Sequence, residues 1–181
     1  MSDQQKQHIG IYPASFDPIT TAHVSIAERA ARNLDKLYVA VAAHPTKNGL
    51  FTASERLNMV QNSIQHIANA EAVLFDKGVT VDNARELGAT LIIRGTRGVT
   101  DFLDEINLFE QNLHVQQAID IHPGNEVFID TATYYALPGQ DHISSTLVRA
   151  LLTTPGVKHR KERIEPLVSR SIIDTVMTKA Q

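Results

Sequence analysis

Cysteine is absent from all 181 residues, which excludes disulfide scaffolds, cysteine-ligated zinc or iron–sulfur sites and thiol nucleophiles. Charge of one sign is scarce as well. Seventeen Lys and Arg face twenty Asp and Glu, a net −3 with a pI near 6.2, so the chain as a whole is no electrostatic trap for nucleic acid. No apolar run approaches the roughly 20 residues a bilayer span requires. Met1 to Gln7 form a polar tail without an apolar stretch, which argues against a secretory leader and for a cytoplasmic protein. The eight histidines show no H-E-x-x-H or other tight metal spacing, and no residue metal site is expected. Neither G-x-G-x-x-G nor G-x-x-x-x-G-K-[ST] occurs, so a nicotinamide fingerprint and a Walker loop are both missing. Lys158 to Arg163 is basic, but it is one short run beside Glu162 and Glu165 and reads as a solvated surface.

What remains is an ordinary globular balance, 43% apolar and 20% charged, long enough to bury one core without staples. No repeat, low-complexity segment or linker splits it, so residues 1–181 read as one domain, with 155–181 as a C-terminal helical segment. Short apolar strands are expected at His8–Tyr12, Leu37–Ala43, Glu71–Phe75, Ala89–Ile93 and Glu126–Ile129. Helical spacing runs through Val24, Ala27, Ala31 and Leu34, with Thr20 or Thr21 as N-cap. A Thr52-x-x-Glu55 capping box opens a second helix carrying Leu57, Val60, Ile64 and Ile67 on one face. Val81–Leu87 is a short helix stopped by Gly88, and Phe102, Ile106, Phe109 and Leu113 mark a long one. Ser144 caps a helix through Leu152, and Pro166 opens a terminal helix towards Lys179. This alternation predicts an α/β fold of Rossmann-like, dinucleotide-binding type, with a five-stranded parallel sheet flanked by helices. Ligands of such sheets bind past the carboxyl ends of the strands, where the strand order reverses. Pro13–His23, Ala43–Lys47 and Arg94–Asp101 follow strand ends and are expected to converge on one crevice.

Each of these segments suits phosphate. His23 falls in the first turn of a helix whose free N–H groups and dipole favour an anion, and Ser15 adds a hydroxyl at the strand tip. Lys47 offers a flexible point charge, and Arg94 and Arg97 offer guanidinium forks. Ser144, Ser145 and Thr146 cluster hydroxyls and amides at a helix start, one serving as N-cap and two left for phosphate oxygens. The plain alternatives are a packed histidine, a solvated lysine, surface ion pairs from the arginines to Asp101 or Asp104, and a simple cap.

The stretch Ala14-Ser15-Phe16-Asp17-Pro18-Ile19-Thr20-Thr21-Ala22-His23 resembles the T/HxGH signature of nucleotidyltransferases in its G-T-F-D-P-I-T-x-G-H form. The variant with threonine at position 20 is similar to that of the phosphopantetheine adenylyltransferase family. His44-Pro45-Thr46-Lys47 resembles the family's N-P-S-K loop, and Arg94-Gly95-Thr96-Arg97 with Asp101-Phe102 its R-G-x-R…D-F segment. Glu105 and Asn112 fall where the family carries a glutamate and an asparagine, and Ile143-Ser144-Ser145-Thr146-Leu147-Val148-Arg149 resembles its I-S-S-S/T-x-V-[KR] motif. Ala14 and Ala22 depart from motif glycines, Ser15 from a threonine, and Gln140-Asp141-His142 from an aromatic-rich approach to the serine motif.

The resemblance implies adenylyl transfer from ATP to 4′-phosphopantetheine, giving dephospho-coenzyme A and pyrophosphate. It implies His23, Lys47 and Ser15 as catalytic residues: His23 on the α-phosphate, Ser15 on the attacking phosphate, and Lys47 on both that phosphate and the developing charge. ATP would meet Ser15, Phe16, His23, Gly95, Thr96, Arg97, Glu105, His142, Ile143, Ser144, Ser145 and Thr146. Ser15, Lys47, Thr80 and Arg94 would bind the phosphopantetheine. Mg²⁺ accompanying ATP, a homo-hexamer built as a dimer of trimers, and no nucleic-acid or membrane partner complete the expectation. The alternative is nicotinate or nicotinamide mononucleotide adenylyl transfer, against which Thr20, Lys47 and the Arg94–Arg97 segment weigh, because that family has histidine at the position of Thr20. A nucleotide sensor without turnover is the rival of another class.

Overall fold

The computed structural model describes residues 7–42, 49–75, 80–97 and 129–181. Five strands, β1 (Ile9–Ala14), β2 (Lys36–Ala42), β3 (Ala70–Phe75), β4 (Leu91–Thr96) and β5 (Asp130–Tyr135), form one sheet in the order β3-β2-β1-β4-β5, every neighbouring pair parallel. The expected five-stranded parallel fold is what the chain adopts. Strand side chains alternate between two cores. Leu37, Val39, Val41, Tyr12 and Ile93 enter the larger core, with α1 (Thr21–Ala31), α2 (Ala53–Ile64) and α4 (Ser145–Thr153). Ile11, Ala40 and Ile92 enter the smaller one, against Val81 and Ala84 of α3 (Thr80–Glu86). The near-continuous apolar reading of β2 follows from this two-sided cover.

Local signals worked where spacing is short. Thr20 is the N-cap of α1. The Thr52 hydroxyl accepts from the Glu55 amide while the Glu55 carboxylate accepts from the Thr52 amide, which completes the capping box. Gly88 takes φ +67, the left-handed conformation that ends a helix cheaply only at glycine.

Three expectations need correction. The fifth strand is Asp130–Tyr135, not Glu126–Ile129; Ile129 precedes it, and 126–128 lie outside the described residues. The run TATYY carries the β-branched and aromatic residues that a pleated surface favours. β4 does not end at Ile93 but carries Arg94 and Gly95 within it, paired to Thr133 and Tyr134. The terminal helix is broken: 3-10 turns cover Glu165–Leu167 and Arg170–Ile172, and only Ile173–Met177 is α-helical, while α5 (Arg160–Ile164) forms in the basic run. Val168 and Ser169 take extended conformations between the two turns, which lets Leu167, Val168, Ile172 and Val176 all reach the larger core. The expected helix from Phe102 lies outside the described residues. Among those described, no helix is long and apolar enough to cross a membrane.

The strand order reverses between β1 and β4. Their pairing covers only Gly10 to Leu91 and Ile11 to Ile92, and then the strands part. Pro13, with no amide to donate, lies in the parted stretch.

Candidate active site

Where β1 and β4 part, a crevice of about 380 Å³ opens, lined from β1 by Tyr12, Pro13, Ala14 and Ser15 and from β4 by Arg94, Gly95 and Arg97. The first turn of α1 contributes Ala22 and His23, and the start of α4 contributes Ser144, Ser145, Thr146 and Arg149. Two helix N-termini and three guanidinium groups therefore face one cavity.

The segment from Ser15 to Thr20 is tied to distant parts of the chain. The Asp17 carboxylate is buried and accepts the amides of Leu50 and Phe51, each at 2.9 Å. The Asp17 carbonyl accepts from Arg149 at 2.7 Å, and the Pro18 carbonyl from the Ser145 hydroxyl at 2.8 Å. The Asp17–Pro18 bond is cis. Phe16 takes φ 45, a conformation that costs a bulky residue of order 1–3 kcal/mol. Full burial holds it there, with its ring edge-on to Tyr12 at 5.4 Å and to His23 at 5.2 Å. The backbone strain of the loop thus sits at Phe16 rather than at Ala14, which ends the strand. Ala22 fits without a positive φ.

His23 is the third residue of α1, the place a glutamate usually takes in a capping box. Its Nδ1 accepts the Thr20 amide at 3.1 Å and lies 2.9 Å from the Thr20 hydroxyl. A backbone amide can only donate, so Nδ1 carries a lone pair and the ring proton sits on Nε2. Burial first, and the charge of Arg97 second, push the imidazole down to about 4. At neutral pH the ring is a neutral donor held by its far nitrogen to the main chain.

Gly95 lies where β4 passes close to α1. A β-carbon there would meet Ile26 Cδ1 at 2.6 Å and the Tyr12 hydroxyl at 3.0 Å, so a side chain would make the tips of these two residues give way. At α4 the Ser144 side chain accepts the Leu147 amide at 3.1 Å, as the expected cap. The Ser145 hydroxyl is committed to Pro18, and Thr146 Oγ1 accepts from Arg149 at 3.2 Å. Only Ser145 spends its hydroxyl proton inside the protein; Ser144 and Thr146 accept there and each keep an O–H to donate, so the two hydroxyls left for phosphate are Ser144 and Thr146. The helix start still offers the first-turn amides that its own ladder leaves unpaired.

The sequence-predicted residues Ser15, His23, Arg94, Gly95, Arg97, Ile143, Ser144, Ser145 and Thr146 all line this crevice. Phe16 and Thr96 do not: both are fully buried, Phe16 beneath the His23 ring and Thr96 at the end of β4. His142 is exposed just before α4, and Thr80 opens α3; neither lines the cavity. Lys47, Glu105 and Asn112 lie outside the described residues. The motif reading missed Arg149 as a lining group, though it ended the serine motif in plain sight. Asp17 and Arg56 were missed too, because their partners lie far away in sequence. Among the described residues no cluster of three His, Asp or Glu is arranged to hold a metal.

A parallel sheet with its crevice at the order reversal, cationic and floored by helix starts, defines a protein built to handle nucleotides. A family profile described as cytidylyltransferase-like matches residues 11–151. The phosphopantetheine adenylyltransferase of Lachnoclostridium phytofermentans is 36% identical over 94% of this chain and 94% of its own. That of Gloeobacter violaceus is 38% identical over 82% of this chain and 85% of its own. Plasmodium falciparum nicotinic acid mononucleotide adenylyltransferase, solved with NaAD, superposes with a TM-score of 0.63 at 18% identity over 95% of each chain, a likeness of fold alone. The chain belongs to the cytidylyltransferase-like family and, within it, to the phosphopantetheine adenylyltransferases.

Proposed function

We propose that the protein transfers AMP from ATP to 4′-phosphopantetheine, releasing pyrophosphate and forming dephospho-coenzyme A. A phosphate oxygen of the acceptor attacks the α-phosphorus. The bond to the pyrophosphate oxygen breaks as the new P–O bond forms. Such a displacement asks the protein for alignment and for donors aimed at developing charge. His23 meets the second need: its Nε2–H donates to an α-phosphate oxygen while Thr20 holds the ring from behind. Arg97, Arg149 and the amides of Ser145 and Thr146 take the β- and γ-phosphates. Arg94 and Ser15 take the acceptor phosphate. Lys47 and Glu105 keep the roles that the resemblance gives them, Lys47 bridging the two substrates and Glu105 on the nucleotide side, with His142 near the nucleotide and Thr80 on the pantetheine arm, while Phe16 and Thr96 support the crevice from beneath it.

The described lining carries cations and hydroxyls but no carboxylate, which suits Mg²⁺ that enters with ATP, held by phosphate oxygens and water. When bound, Mg²⁺ adds countercharge to the triphosphate. The same reading takes residues 1–181 as one domain, working as a hexamer in the cytoplasm.

The observation that carries this reading is the meeting of His23, three arginines and the α4 start in one crevice, in a chain of this family. The test is pyrophosphate release with ATP and either 4′-phosphopantetheine or nicotinate mononucleotide. Turnover is expected with the first only. Turnover with the second alone would transfer the chain to the other activity, and ATP binding without release from either would make it a sensor.

A further inference from the structure

Arg56, in the first turns of α2, is more than nine-tenths buried. It does not line the crevice. Its Nη1 donates to the Ser15 carbonyl at 2.7 Å and to the Ala42 carbonyl at 3.1 Å, and its Nε is buried without a partner. Among the described residues no carboxylate stands within ion-pair distance of it. A buried cation in that condition is costly, so its place needs a reason.

The strand register supplies one. β1 and β2 pair residue by residue up to Ala14 and Val41, and there their ladder stops. Ser15 and Ala42 are the next residues on each strand. Past this point no rung joins the two strands among the described residues, yet Ser15 must present its hydroxyl at a fixed place in the crevice. The two hydrogens of Nη1 reach one carbonyl each and bridge the strands where the sheet ends.

We propose that Arg56 is a positioning residue for Ser15, a guanidinium rung that extends the β1–β2 ladder by one step and fixes the loop that receives the acceptor phosphate. The inference rests on the role given to Ser15 above. It predicts that the loss of Arg56 is felt in turnover, through Ser15, rather than in ATP binding.

The test is a double-mutant cycle of R56Q and S15A on the full chain, read by kcat and by KM for each substrate, with thermal melting as control. R56Q is expected to lower kcat by about 10-fold to 100-fold, in the range for a misplaced catalytic group, with KM for ATP little changed. In the S15A background the further loss is expected to fall below about twofold, because interacting residues are not additive. R56K keeps the charge and donors and is expected to recover most of the lost rate. Equal losses from R56Q in the wild-type and in an impaired S15A background would overturn the inference, as would full activity of R56Q. S15A at the wild-type rate would overturn the role of Ser15 itself. If R56Q does not fold, R56M, which keeps the apolar stem without the bridging donors, takes its place in the cycle, where a loss confined to the Ser15 background supports the inference and equal losses, or no loss, overturn it.

Discussion

Ser15–His23 and Glu165–Met177 are both short, both contain a proline and both are drawn against the same large core. Both bury apolar side chains, Phe16 and Ile19 in the first, but they differ in how much polar bonding is added to that burial. The first is fixed by polar bonds to four distant places: Arg56, the Leu50–Phe51 amides, Ser145 and Arg149. The second is held chiefly by burying Leu167, Val168, Ile172 and Val176, each with at most 5% of its surface exposed, with exposed polar contacts to Thr21, Asn62 and Lys161 at its margin. Hydrogen bonds demand angles and partners; apolar contact demands only fit. The polar segment can therefore hold an imidazole in a set direction, and the apolar one supplies stability without directing any group. Mutations should separate the two segments into one that governs rate and one that governs melting.

The sharpest break should come at His23. H23A is expected to keep its fold and to lose about 10²-fold to 10³-fold in kcat, the cost of deleting one preorganised donor, as pyrophosphate release under saturating substrates will show. The pH dependence carries the same signature. Because the folded His23 titrates near 4 and a free histidine near 6.5, the unfolded chain binds more protons between these values. His23 thus contributes stability that is fully present above about 6.5 and is lost as pH falls towards 4. H23Q should flatten this part of the melting-temperature profile; an unchanged slope would contradict the buried neutral ring.

I172A, in the apolar segment, should cost about 2–5 kcal/mol of stability, measured by denaturant unfolding, with kcat unaltered below the melting point. A large fall in kcat here would erase the contrast between the segments. D17N lies between the extremes. It replaces one of two acceptors facing buried amides by a donor, and should cost about 1–3 kcal/mol together with part of the activity. Loss of stability without loss of rate would assign Asp17 to the apolar segment's kind of role.

What could be read in the sequence divides along the same line. Thr20 with His23, Thr52 with Glu55 and Ser144 with Leu147 interact three residues apart, so spacing alone exposes them. The parallel sheet was legible because strands covered on both faces are apolar throughout, as Leu37–Val41 are. Arg56 and Ser15 are 41 positions apart, and Arg149 and Asp17 132; no local pattern announces such pairs. The broken terminal helix escaped for a related reason. Its apolar residues recur at near-helical intervals, but extended residues at 168 and 169 break the helix between two 3-10 turns, and spacing alone does not show such a break. β5 was displaced because a weakly alternating TATYY run shows its strand character only beside β4.

The lone pair on His23 Nδ1 has one further consequence. With that nitrogen spent on the Thr20 amide and the other carrying the proton, the ring has no free electron pair to offer phosphorus. AMP has nowhere on this imidazole to rest between donor and acceptor: an adduct on the ring would first require it to let go of the Thr20 amide.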